Sequence, residues 1–414
     1  MSLLVNPAPR RQPIRRGLGL LGDSFSGNCH TVGPTVYGTE AYGYAAMIAA
    51  RTGLFPSYLD NQGKVGDHTG QFLAKLPACI ASSTADLWML LSRTNDSTTS
   101  GMTLADSKAN VMKIVTAFLN TPGKYLIVGT GTPRFGSKAL TGQALADAIA
   151  YKDWVLSYVS QFVPVVNIWD GFTEDMTVEG LHPNILGADF LSSRIVPIIN
   201  ANFEFPGIPL PTDAGDIYST IRPYGCLNAN PLLTGTGGTL PAGVSAVAGS
   251  VLADGYKAVG SGLTGITTRW YKEPAAYGEA QCIELGGTLA AAGGYVYVQP
   301  IANVTMGNLA AGDVIEMVSA VEIAGSSRGI LGWEAELTFT KPVSGTSTTI
   351  YFRSMDKYQE PFTLPASFIG QLETQRGTVD LTETVITSRM GLYLAVGVAQ
   401  NTTVKVAQFG IRKV

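Results

Sequence analysis

Charge is scarce in this chain. Only 14% of its 414 residues are Asp, Glu, Lys or Arg, well under the usual quarter of a globular protein. The net charge is −3, so no broad basic field exists to attract nucleic acid. The one basic cluster is Arg10, Arg11, Arg15 and Arg16. It shares its stretch with Pro7, Pro9 and Pro13 and reads as a solvated, irregular N-terminal arm. No run of about 18 apolar residues occurs, which excludes a helical membrane span. The start, MSLLVNPAPRR, lacks the basic region and apolar run of a signal peptide. Cys29, Cys79, Cys226 and Cys282 lie far apart and make no C-x-x-C pair. Neither a zinc site nor a disulfide framework is indicated, and buried free thiols are expected. Histidine is scarce too. Chemistry that needs an imidazole has only His30, His68 and His182 to draw on.

What is abundant is glycine, at 48 residues, with 45% hydrophobic content. The length favours two domains, or three. A surface rich in Ser, Thr, Asn and Gly but poor in charge suits extracellular, carbohydrate-facing or assembly-embedded proteins.

Residues 17 to 200 alternate apolar runs with helical patterns. GLGLLGD is a short first strand, and 37–53 reads as a helix closed by Gly53. SYLDNQ is a candidate second strand, followed by a short helix in HTGQFLAKL. DLWMLLS is a strand covered on both faces. A helix over 103–120 has Thr103 as N-cap and Asp106 three residues on. KYLIVGTG, a long helix over 144–162, VPVVNIWD and a last helix over 183–200 complete the series. This alternation implies an α/β layer fold with a parallel sheet. Residues 205–225 carry Pro206, Pro209, Pro211 and Pro223 and read as a linker. From 226 to 414 only short alternating runs remain, such as YVYVQPI, WEAELTFT and TVKVAQFGI. They predict an all-β sandwich of jelly-roll type. The expected division is an arm over 1–16, an α/β domain over 17–204, a linker over 205–225 and a β domain over 226–414.

The stretch GLGLLGDSFSGN, residues 17–28, can be parsed in two ways. Gly17, Gly19 and Gly22 fit G-x-G-x-x-G, the phosphate cradle of dinucleotide-binding folds. That cradle needs a strand before its first glycine, and NPAPRRQPIRR is a poor one. GTGTPRFG (129–136) is Gly-rich but lacks the pattern. Gly325-Ser326-Ser327-Arg328-Gly329 fits G-x-S-x-G but is followed by a strand where a nucleophile elbow requires a helix. It reads as a hairpin turn.

The second parse makes Ser24 a nucleophile, which needs a base and an acid to orient it. His182 is the best-placed base. It sits in EGLHP, after the fifth strand, where parallel sheets place ligands, and Glu179 precedes it by three residues. With GDSFS, NQGKVGDHT (61–69), RTND (93–96) and EGLHP (179–183) in order, the chain resembles the SGNH/GDSL hydrolases. The resemblance covers residues 17 to 200. It implies a three-layer α/β/α flavodoxin-like fold. It also implies Ser24 as nucleophile, His182 as base and Glu179 as its orienting acid. The oxyanion hole would come from Ser24, Gly66 and Asn95. No metal and no cofactor is required. Two positions depart from the family pattern: Arg93 stands for a glycine and Glu179 for an aspartate. Glu174, Asp175 or a Ser–His dyad held by a backbone carbonyl are alternatives to Glu179. Arg93 and His68 are candidate substrate contacts, and His30 is a neighbour of the site. Trp270, Tyr271, Trp333 and Tyr351 are of a type that stacks on sugars, although strand aromatics are mostly core.

A jelly-roll-like domain beside an esterase resembles carbohydrate-active enzymes, and the composition resembles phage tail proteins. The leading expectation is a carbohydrate O-acetylesterase acting on a bacterial surface polysaccharide. It would be located in a virion tail or outside the cell, as a homo-oligomer, a trimer if a tail protein, with no nucleic-acid partner. A lipase or small-ester hydrolase is the second expectation. A non-catalytic receptor-binding or structural tail protein with a decayed hydrolase domain is the third.

Overall fold

The computed structural model describes residues 11–14, 17–33, 36–40, 43–96, 101–326, 329–341, 345–353 and 368–414. The first part of the chain runs β1 (Gln12–Pro13), β2 (Gly17–Gly22), α1 (Ser24–Gly27), β3 (His30–Val32), β4 (Val36–Glu40), α2 (Tyr44–Thr52), α3 (Thr69–Ala81), β5 (Ala85–Leu91), α4 (Leu104–Leu119), β6 (Tyr125–Gly129), α5 (Gly142–Ser157), β7 (Val165–Val166), α6 (Ile185–Asn202) and β8 (Phe203–Glu204). Strands β2-β5-β6-β7 form a parallel sheet in that order. The expected second strand in SYLDNQ is not one. Tyr58–Asp60 turn as a 3-10 helix, and only Asn61 pairs, as a single parallel bridge to Leu20.

The sheet sorts its side chains by pleat. Leu18, Leu20, Leu87 and Met89 face α1, α2 and α6, packing with Phe25, Ile48, Leu191 and Ile195. Leu21, Trp88, Leu90 and Val128 face α3, α4 and α5, packing with Phe72, Ile114 and Val155. Two cores on two faces make a three-layer α/β/α unit. Gly19 is required by this packing, because a Cβ there would lie 2.5 Å from the Trp88 ring. Thr103 and Asp106 form the expected capping box on α4. All four cysteines are free and buried, and burial pushes each thiol up to about 12.

The second part contains β9 (Gly237–Thr239), β10 (Leu252–Ser261), β11 (Ile266–Pro274), β12 (Glu279–Thr288), β13 (Tyr295–Pro300), β14 (Val314–Ser326), β15 (Ile330–Lys341), β16 (Gly345–Arg353), β17 (Ile369–Glu373), β18 (Gly377–Thr378), β19 (Val385–Leu394) and β20 (Ala399–Lys413). They form two sheets. One has the order β3-β4-β16-β15-β19-β13-β10-β9, the other β11-β12-β20-β14-β17 with β18 on β14. Trp270, Ile283 and Val404 of one sheet share a core with Val298, Trp333 and Leu392 of the other. Trp270 and Trp333 are therefore core residues and cannot stack on a ligand. The side chain of Tyr351 lies outside the described residues.

Three expectations need correction. The helix predicted over 37–53 starts only at Tyr44. Residues Val36–Glu40 are instead a strand that pairs with β16, inside the sandwich sheet. The predicted hairpin at GSSRG, whose residues 327–328 lie outside the described set, joins β14 in one sheet to β15 in the other. The N-terminal arm is not wholly irregular: Gln12 and Pro13 pair in parallel with Phe203 and Glu204. Its Arg10, Arg15 and Arg16 are outside the described residues.

Helix α2 joins the two bodies. Tyr44, Ala45 and Ile48 belong to the α/β core, whereas Ala46, Met47, Ala49 and Ala50 belong to the sandwich core. A helix apolar all round is a buried helix, and YAAMIAA is that sequence.

Candidate active site

β2 ends at Gly22, and Asp23 turns the chain into α1. The Asp23 carboxylate accepts a hydrogen bond from the Phe25 main-chain N–H at 3.1 Å. Burial pushes this carboxyl up to about 6, against the lowering effects of Thr94 and the Phe25 N–H. Ser24 follows as the first residue of α1, only 3% exposed. Its Oγ lies 3.0 Å from His182 Nε2.

His182 is held by a loop that closes on itself. Thr177 bridges Pro183, and the Val178 N–H donates to the His182 carbonyl at 2.7 Å. Within this turn Glu179 (φ 35°) and Gly180 (φ 78°) are both left-handed. That reversal brings the Glu179 carboxylate back onto His182 Nδ1 in a short hydrogen bond. Nδ1 therefore carries the proton and Nε2 presents its lone pair to Ser24 Oγ. The loop is anchored twice. Asn184 caps α6 by accepting from the Gly187 N–H at 3.0 Å, and its Nδ2 donates to the Asp175 carbonyl at 2.7 Å. Phe135 N–H donates to the Gly180 carbonyl at 2.8 Å, and a Cβ on Gly180 would sit 2.4 Å from the Phe135 carbonyl oxygen.

The alternative acids lie elsewhere. Asp175 accepts from Thr173 Oγ1 at 2.5 Å. Glu174 Oε1 lies beside Gly136.

The other two motif loops meet each other. Gly66 stands in an exposed turn at φ 84°. Asn95 Nδ2 donates to the Asp67 carbonyl at 2.9 Å, which ties the side chain to that turn and leaves its second amide hydrogen for another acceptor. Asp96 is the hub beneath them. Its carboxylate accepts from the Thr69 N–H (3.0 Å), Thr69 Oγ1 (2.7 Å) and Ser107 Oγ (2.5 Å), joining the starts of α3 and α4 to the loop after β5.

Arg93 and His68 are not placed as substrate contacts. Arg93 has φ 79°, the left-handed backbone that favours glycine, which explains the family's residue there. Its side chain turns inward, only 3% exposed, 3.8 Å from Asp147 and over the Tyr151 ring. Burial pushes its guanidinium down, opposed by Asp96 and Asp147. His68 caps α3: its Nδ1 accepts from the Gly70 N–H at 3.2 Å, and its own N–H donates to Gln71 Oε1 at 3.0 Å. His30 is buried, and its imidazole is held down at about 4 by that burial.

No family model matches the chain, and no curated protein matches it. The chain is similar to solved ester hydrolases over somewhat less than half its length. A carbohydrate esterase family 3 structure from Talaromyces cellulolyticus is 17% identical, with 45% of this chain and 96% of that one covered and a TM-score of 0.33. A lipase/acylhydrolase from Enterococcus faecalis is 19% identical, covering 46% and 97%, with a TM-score of 0.36. An acetylxylan esterase from Geobacillus stearothermophilus is 15% identical, covering 47% and 98%, with a TM-score of 0.38.

Sequence reasoning gave no role to Asp23, Asp96, Asn184 or Arg134. Arg134 lies on the Gly-rich loop after β6 and is half-buried. Burial pushes its guanidinium down and the Asp23 charge opposes this, so the two lie within electrostatic reach. Asp96 was visible as the last residue of RTND, and Arg134 as the cation of GTGTPRFG. A cavity of about 980 Å³, lined in part by Gly17, Phe55, Thr84 and Arg376, opens at the other end of the sheet. Its lining holds no histidine. Among the described residues, no cluster of His, Cys, Asp and Glu could hold a metal ion.

Proposed function

We propose that the chain is a serine ester hydrolase that removes acetyl groups from a carbohydrate. The observation that carries this reading is the continuous hydrogen-bond chain from Ser24 Oγ through His182 to Glu179. His182 Nε2 takes the Oγ proton as Ser24 attacks the acyl carbonyl. The new C–O bond sends the carbonyl electron pair onto oxygen. That oxyanion is received by the N–H groups of Ser24 and Gly66 and by the second Asn95 amide hydrogen. Glu179 keeps Nδ1 protonated and stabilises the imidazolium. On collapse the bond to the leaving alcohol breaks, and His182 returns the proton to it. Water then repeats the cycle on the acetyl-enzyme and releases acetate.

The substrate class follows from the low charge and from the pairing of the α/β unit with a β sandwich. Both suit an O-acetylated bacterial surface polysaccharide met by a phage tail component. Acetate release from such a polysaccharide is the test. Wild type releases acetate and Ser24→Ala does not; equal release by the two would overturn the reading.

A further inference from the structure

Helix α1 is a single turn of four residues. A helix so short has no stability of its own, so the position of Ser24 has to be set from outside. One fixture runs from the β sandwich to α1 without a break. Gln375, just after β17, is 1% exposed. Its Nε2 donates to Thr39 Oγ1 and to the Pro56 carbonyl, both at 2.9 Å, and its Oε1 accepts from the Tyr58 N–H at 3.1 Å. The same Pro56 carbonyl accepts from His30 Nε2 at 2.9 Å. A carbonyl only accepts, so Nε2 carries the imidazole proton and Nδ1 is a lone pair. Nδ1 accepts from Asn61 Nδ2 at 3.0 Å. The other hydrogen of Nδ2 goes to the Ser26 carbonyl in α1 at 2.8 Å. Asn61 is itself fixed, by its bridge to Leu20 and by the Gly63 N–H on its Oδ1 at 2.9 Å. His30 opens the strand pair that enters the sandwich sheet. Its low basicity keeps the imidazole neutral, so this tautomer holds across neutral pH.

We infer that Gln375, His30 and Asn61 form a positioning relay through which the β sandwich seats the α1 turn carrying Ser24. None of the three touches substrate. The inference rests on the ester-hydrolase reading for its catalytic consequence, but the relay itself can be read without turnover.

The probe is Gln375→Met in the full chain, which keeps the side-chain length and removes all three hydrogen bonds. With p-nitrophenyl acetate, kcat falls about five- to tenfold, the scale of one lost hydrogen bond, while KM stays within about twofold. The Asn61 side-chain amide and the Ser26 and Gly27 main-chain amide NMR signals shift. Gln375→Glu keeps the acceptor for Tyr58, loses the donor pair and gives the same pattern; it serves if the Met variant does not fold. Signals that stay in place overturn the relay, whatever happens to rate or stability. Shifted signals with unchanged kcat in an active protein overturn it as well, because Ser24 would then be seated as before. If Ser24 proves inert in the wild type, the ester-hydrolase reading fails, and the NMR signals still decide the relay.

Discussion

At the scale of the residue, Asp23 places a shifted carboxyl next to Ser24. It is fully buried, and its pKa is raised to about 6 by that burial. A raised folded-state pKa contributes stability below the unfolded value, near 4, and loses it as pH rises through 6. Asp23→Asn removes this titration and keeps an acceptor for the Phe25 N–H. The variant should therefore gain on wild type by about 2–3 kcal/mol between pH 4 and pH 7.5. Urea unfolding at the two pH values checks it, and a pH-independent difference would contradict it. Ser24, His182 and Glu179 could be singled out because histidine is rare and the motifs fall in order, and the fold brings the three into one hydrogen-bond chain. Arg93 and His68 were not. Whether a cation stacks inward on Tyr151, or an imidazole caps a helix, depends on which elements meet, and local sequence does not carry that.

At the scale of the element, the His182 loop works by a reversed backbone. Gly180 is left-handed and packs against the Phe135 main chain, which cannot move aside as a side chain could. Gly180→Ala should displace the loop and lower kcat/KM about tenfold or more, with a loss of stability of about 1–2 kcal/mol. A variant with wild-type kinetics would show that the turn tolerates a Cβ without moving His182. Most strands and helices were readable from period and caps: β5 from its continuous apolar run, α4 from Thr103 and Asp106. The misses have one cause. Val36–Glu40 adjoins a helical pattern, and it is extended because it pairs with the three-residue β3 on one side and with a strand more than 300 residues away on the other. Asn61 likewise pairs at one residue, too little to leave a pattern.

At the scale of the molecule, the α/β unit and the sandwich are not independent. β3 and β4 are strands of the sandwich sheet, and α2 buries Ala46, Met47, Ala49 and Ala50 in the sandwich core. Residues 11–204 alone would leave the β16-facing edge of β4 open and that face of α2 in water. Such a fragment should aggregate or lack a cooperative unfolding transition, as exposed edges and apolar patches do. A soluble fragment with a sharp transition and full Ser24 reactivity would contradict this. The composition shift near residue 226 marks where the strands become dense, but it cannot reveal that an early segment crosses over.

Ester hydrolysis at this site requires Ser24 to be an activated nucleophile. The most direct measurement is the rate of covalent labelling by a fluorophosphonate, with the adduct located by peptide mass spectrometry. Wild type should be labelled at Ser24 and Ser24→Ala not at all. His182→Ala should react slowest of the remaining variants, by at least about 100-fold. Glu179→Ala should fall between it and wild type, because the half-exposed carboxylate orients the base but takes no proton. No labelling of the wild type, or an adduct on another residue, would contradict the account.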